Sequence, residues 1–244
     1  MTIETDDWQG IPAAAFTLLG KLERNNDAAW ARDHSNALAT DLRAPFIAFL
    51  EAASRRLTAA GSDLEGGAQT TFRMRRDLRF TTDRRPLHEH VEGMLSRGRR
   101  RIGCRGAIHV RLDRSGGFLR AGSFLQPAEG RRALREAMLS RRRSFLSIVR
   151  ALEAAEIRVE SRTELQRVPR GFEVAGGERL APYLRMNEPV AEVTLTRAEW
   201  RDGSAIERVV EFAARTRRWL MFQREALADV PDLVLRPPRS PPRP

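Results

Sequence analysis

Apolar residues recur along this chain at two spacings, and the change from one to the other divides it into helices and strands. Phe16, Leu19 and Leu22 lie three apart, which predicts a helix from Pro12 to Leu22; Asn25, Asn26 and Asp27 then offer capping side chains for a second helix carrying Trp30. Pro45 suits a first helical position, and Phe46, Phe49, Leu50, Ala53 and Leu57 form one stripe that stops at Gly61. Beyond a glycine-rich loop over 61–68 the period becomes two. Phe72, Met74, Leu78 and Phe80 alternate with Arg73, Arg75, Asp77 and Arg79, which predicts a half-buried strand. Arg76 breaks the alternation on its apolar side. A guanidinium placed there needs a carboxylate or an anionic ligand, because an unpaired buried charge is costly.

Pro86 predicts a short helix or turn bearing His88, His90, Met94 and Leu95, followed by a solvent-exposed basic loop over 97–101. Ile108 and Val110, the turn residues from Asp113 to Gly117, and the apolar pattern from Phe118 to Phe124 predict a β-hairpin. Pro127 opens a helix with the stripe Leu134, Met138, Phe145, Ile148 and Leu152. Segments 157–168 and 185–195 read as two more strands, and the tight turn Pro169-Arg170-Gly171-Phe172 between them can carry Arg170 to a site. After Asp202, a capping residue, Ile206, Val209, Val210, Ala213, Leu220 and Met221 define a closing helix to about Ala228. The predicted architecture is a single α+β domain over 11–228, a mainly antiparallel sheet packed with N-terminal, central and C-terminal helices on one face. Residues 1–10 and the tail 229–244, with six prolines from Pro231 onward, are expected to be disordered.

Charge sharpens this picture. The chain of 244 residues carries a formal net charge of +11, and Lys21 is the single lysine among its 43 Lys and Arg. Residues 73–105 alone hold 11 arginines against the four acids Asp77, Asp83, Glu89 and Glu92, a net +7. A positive field concentrated in one region favours anionic partners. The lone Cys104 excludes an intramolecular disulfide and fits a reducing cytoplasm. An acidic N-terminus without an apolar run predicts no export signal. The longest uncharged N-terminal stretch, Trp8 to Gly20, falls short of the roughly 20 residues a membrane helix needs, so no membrane association is expected.

No phosphate-cradling glycine loop follows a predicted strand, and no G-x-S-x-G elbow occurs. His88-x-His90, even joined by His109, lacks the spacing of a zinc motif, so neither metal nor cofactor is assigned. The constellation that remains is Arg73, Arg76, Asp77, Arg79, Asp83, Arg84 and His90, with Arg170 as an outlying contributor. Arginine forks suit phosphate or carboxylate, while Asp77, Asp83 and His90 either move protons or hold the arginines in place. One reading is therefore a site for an anionic small molecule, a phosphorylated metabolite or nucleotide, with those three as catalytic candidates. The other is a non-catalytic module that binds nucleic acid or an acidic protein through 97–105 and the helix over 127–153. One tyrosine in the whole chain argues against a base-stacking single-strand binder. Nothing in the pattern specifies an oligomeric state.

The run Phe72, Arg73, Met74, Arg76, Asp77, Arg79, Phe80, Thr81, Asp83, Arg84, Pro86, His90 resembles the signature of an uncharacterised family, domain of unknown function 2461. The resemblance extends to Asn25-Asn26 with Trp30, Pro45-Phe46, the hairpin through Gly122, Gln126-Pro127, Pro169 to Phe172 and the segment from Leu184 to Pro189, and covers roughly 13–227. The chain departs from the signature at Arg75, Leu87 and His88. The resemblance implies a compact α+β protein and supplies no activity, substrate or cofactor.

Overall fold

The N-terminal helices form where the periodicity puts them. The computed structural model describes residues 8–80, 82–172 and 177–231. Helix α1 (Ala13–Arg24) buries Phe16, Leu18, Leu19 and Leu22. Asp27 caps α2 (Ala28–Asp33), its Oδ1 accepting the N–H groups of Ala29 and Trp30 at 2.9 Å each. A short α3 (Ser35–Ala37) runs through a π-helical turn, Leu38–Arg43, straight into α4 (Ala44–Ala59). Pro45 therefore does not start a helix after a gap. The missing proline N–H falls where the chain has already widened to π geometry.

Five strands, β1 (His90–Leu95), β2 (Ala107–Asp113), β3 (Gly116–Gly122), β4 (Arg158–Glu160) and β5 (Val190–Thr196), form one antiparallel sheet in the order β1-β2-β3-β5-β4. The expected hairpin is β2–β3. Between β3 and β4 lie α5 (Ala128–Ser140) and α6 (Arg142–Glu153), two helices where the pattern predicts one, broken at Arg141 (φ −110°, ψ 34°). Helix α7 (Gly177–Arg185), with Pro182 inside it, and α8 (Arg197–Asp202) are additions to the sequence reading, and α9 (Ala205–Ala226) closes the fold. Asp202 ends α8 and holds Ser204 by an N–H···Oδ1 bond of 2.9 Å; it does not cap α9 directly.

Three expectations change. Residues 72–79 show the predicted alternation of exposure, yet the backbone makes only isolated bridges, Thr71 with Gly93 and Arg75 with Leu87, before a 3₁₀ turn at Leu78–Phe80. The segment lies along the edge of β1 and leaves it, so its alternation reflects one covered side rather than a full ladder. Conversely, the helix or turn expected after Pro86 is strand β1. Its period of two was hidden by Gly93, which occupies a core-facing position. A Cβ there would come within 2.6 Å of Leu50 Cδ1, so α4 packs directly on the strand. The strand expected over 157–168 is three residues long; beyond it Leu165 and Asn187 hydrogen-bond Arg185 O and Thr163 O without a continuous ladder.

Helices cover one face of the sheet. Phe46, Phe49 and Leu50 of α4 and Trp219, Leu220 and Phe222 of α9 pack with Val91, Leu95, Ile108, Val110, Leu119, Ala191 and Val193 in one apolar cluster. The two fully buried indoles are satisfied: Trp200 donates to Gly116 O at 2.8 Å and Trp219 to Ala121 O at 2.9 Å. The other face carries His90 and Glu92 of β1, His109 and Arg111 of β2, Phe118 and Arg120 of β3 and Glu192 of β5, because side chains alternate along each strand. Among the described residues no helix is long and apolar enough to cross a membrane.

Candidate functional site

The Arg-rich stretch is a small hairpin with a long excursion. Arg76 N–H donates to Pro86 O at 2.8 Å and His88 N–H to Met74 O at 2.7 Å, so 74–76 pairs with 86–88 and residues 77–85 loop out between them. Asn26 pins this hairpin from the turn before α2. Its Nδ2 donates to Leu87 O at 2.9 Å and to Glu89 Oε1 at 3.2 Å, while its Oδ1 accepts Leu87 N–H at 3.2 Å. Phe72 N–H donates to Glu92 O at 2.9 Å, which ties the start of the stretch to β1.

Inside the loop each acid holds an arginine. Asp77 takes the fork of Arg79, at 2.9 Å to Nε and 2.7 Å to Nη2. Asp83 takes Arg85, at 3.0 Å to Nε and 2.7 Å to Nη2, and also Arg76 Nη1 at 2.5 Å. Arg85 Nη1 reaches on to Glu89 at 2.8 Å. The hydrogen bond from Arg79 lowers the pKa of Asp77 to about 2, and those from Arg85 and then Arg76 hold Asp83 lower still. Both carboxylates are thus held ionised, each committed to fixing a guanidinium. Arg76 has a carboxylate partner and its side chain is 22% exposed, so it is half-buried at the surface and not buried in the core. Arg73, Arg75 and Arg84 are exposed and make no side-chain hydrogen bond or ion pair among the described residues.

A second cluster meets this one on the open face of the sheet. Glu92 Oε2 lies 3.1 Å from His109 Nε2, 3.4 Å from His90 Nε2 and 3.0 Å from Arg111 Nη2. Burial alone would raise its pKa, but the hydrogen bonds from His109 and then His90 pull it far below the usual carboxylate range. His109 is walled by the edges of the Phe72, Phe118 and Phe124 rings, and burial pushes its pKa down against the pull of Glu92. His88, 5.2 Å from His90 between ring centroids, is lowered by burial and by repulsion from His90. Arg120 pairs with Glu192 across the β3–β5 ladder, its guanidinium 3.9 Å above the Phe118 ring centre. Among the described residues no group of three His, Cys, Asp or Glu is arranged to hold a metal. Arg111 occupies the Glu92 oxygen toward which His90 and His109 converge, and its fixed positive charge opposes a cation there.

The structure thus brings Arg73, Arg76, Asp77, Arg79, Asp83 and Arg84 together at the edge of β1, with His90 at its start. Arg170 is elsewhere: it stands exposed in the turn closed by Phe172 N–H to Pro169 O at 3.1 Å, after β4, the strand at the opposite edge of the sheet. Glu92, Arg111 and Arg120 escaped the sequence reading. Their signal was present in H-x-E on β1 and H-x-R on β2, but only the antiparallel register sets Glu92 opposite Arg111. The basic run beyond β1 is exposed at Arg97, Arg99, Arg100 and Arg101, as expected. Arg97 pairs with Asp63 at 2.9 Å, Arg101 donates to Thr71 O at 3.4 Å, and Arg105 donates to Leu227 O at 2.7 Å and to Val230 O.

Neither a curated protein nor a solved structure matches this chain. The hairpin, the loop and the β1 edge they lean on all lie within residues 14–222, the span matched by the family described as "Conserved hypothetical protein (DUF2461)", and the chain belongs to that family.

Proposed function

We propose that the protein binds a small anion, a phosphorylated metabolite or a nucleotide, on the patch formed by Arg73, Arg75 and Arg84 beside Arg76. The observation that carries this reading is the local balance of charge. Asp77, Asp83 and Glu89 are each already engaged by Arg79, Arg76 or Arg85, whereas Arg73 and Arg75 before the loop and Arg84 within it make no side-chain hydrogen bond or ion pair among the described residues. Arginines left outside any carboxylate fork, on a hairpin pinned by Asn26, offer planar forks to a phosphate. The acids of the loop act by fixing Arg76, Arg79 and Arg85. Any proton transfer at this patch then falls to His90, the candidate whose side chain is not held in an arginine fork.

Binding through 97–105 and helices α5 and α6, the alternative, has less freely movable side chain to offer over 97–105, since Arg97, Arg101 and Arg105 are tied into the fold. The test is calorimetric titration of pyrophosphate and ATP into the protein and into the R73Q/R75Q/R84Q variant. Loss of binding in the variant at unchanged denaturation midpoint supports the assignment. Equal binding by both proteins, or no binding by either, overturns it.

A further inference from the structure

On the far side of the helical layer, a groove of about 480 Å3 runs between the end of α4 and the outer flank of α9. Leu57, Leu64 and Leu220 form its floor, and Val210, Ala213, Ala214 and Met221 its apolar wall. Met221 is 45% exposed, a large apolar side chain left in water. Ion pairs flank both ends: Arg56 with Glu207 at 3.4 Å, one turn before Val210, and Arg224 with Asp63 at 3.0 Å. Between them Arg217 lines the groove, exposed, with no side-chain hydrogen bond or ion pair among the described residues. From Val210 to Arg224 the helix advances about 21 Å at 1.5 Å per residue, and the groove's lining on α9 runs along that flank.

We infer that this groove binds a free amphiphilic monoanion, a long-chain carboxylate whose alkyl body lies along Val210, Ala213 and Met221 and whose head group pairs with Arg217. The chemistry of the lining decides among occupants. A nucleotide would meet no ring to stack on, whereas an alkyl chain removes exposed apolar surface from water and its carboxylate pairs with Arg217. Methionine, with its flexible thioether, adapts to such chains without a fixed cavity shape. Arg56 is paired with Glu207 and Arg224 shares Asp63 with Arg97, so Arg217 is the lining arginine that has no carboxylate of its own among the described residues.

The experiment is titration of dodecanoate, below its micellar concentration, against the intact protein, with dodecanol as the uncharged control. Dodecanoate is expected to bind, R217Q to weaken it about tenfold, and M221D to abolish it. The R73Q/R75Q/R84Q variant is expected to bind dodecanoate as the unsubstituted protein does, which separates this groove from the anion patch at β1. Equal affinity for dodecanoate and dodecanol, unchanged affinity in R217Q, or binding to anionic phospholipid vesicles without binding of free dodecanoate would each overturn the inference.

Discussion

Two arginine-rich stretches, 73–85 and 97–105, look alike in composition and behave differently in the fold. In the first, the partners are carboxylates of the same loop or its foot: Asp77, Asp83 and Glu89 hold Arg79, Arg76 and Arg85 within a few residues. In the second, they come from distant parts of the chain. Arg97 reaches Asp63, Arg101 reaches Thr71, and Arg105 reaches Leu227, 122 residues away. Local pairing builds a self-contained display that leaves three arginines over. Distant pairing makes arginines into ties between elements. Arginine density is common to both and therefore predicts neither role; the sequence distance to each partner separates them.

The largest effect is expected at Glu92, where the first stretch meets the sheet. Glu92→Gln leaves Arg111 and its histidine neighbours without their carboxylate in a partly buried cluster, and should lower stability by about 3 kcal/mol in a urea titration. A midpoint like that of the unsubstituted protein would mean the open face is held by packing alone.

Next comes the tie itself. Arg105→Ala strips donors from the carbonyls at the end of α9 and should cost about 1–3 kcal/mol, with faster amide exchange in the last turn of that helix. If removing Arg105 were neutral, the second stretch would be no more structural than the first, and the comparison would fail.

Acidification gives a smaller, graded effect. The folded-state pKa values of His88 and His109 lie below the ordinary 6.5, so the folded chain takes up these protons less readily than the unfolded one. Their contribution is complete above pH 6.5 and declines as pH falls below it, by at most about 1.4 kcal/mol per pH unit for each proton. Glu92, also lowered, adds to the loss only below its ordinary 4.5. His109→Gln should flatten the slope of stability between pH 6.5 and 5; an unaltered slope would exclude His109 as its source.

The smallest effect is predicted for Arg76→Met. Asp83 keeps the Nε and Nη2 bonds of Arg85 when Arg76 is gone, so no carboxylate is stranded and the midpoint should stay where it is. A pronounced loss of stability would show that Arg76 holds the loop alone, and would move the first stretch toward the structural role of the second.

Much of the helical layer was legible because helices announce themselves locally. The stripes of α1, α4 and α9 and the Asp27 cap depend on residues within four positions of one another. The β2–β3 hairpin was legible for the same reason, its two strands being joined by a two-residue turn. Strand β1 was not, because Gly93 removes an apolar side chain from the core face to admit Leu50, a residue far away in sequence. Nor was the status of Arg76. Alternation placed it correctly on the covered side of its segment, but how deep that side is depends on β1 and on Asp83 folding back to meet it.

The sequence by itself determined the class of fold, the segment around Arg76 as a centre of charge, and the family to which the chain belongs, since periodicity, composition and signature residues all reside in contiguous stretches. Only the tertiary structure decided which arginines are already neutralised and which acids are locked, and set Glu92 between His90, His109 and Arg111. Those outcomes depend on antiparallel register and on loop closure, and both are fixed by the packing of whole elements, not by any neighbourhood in the chain.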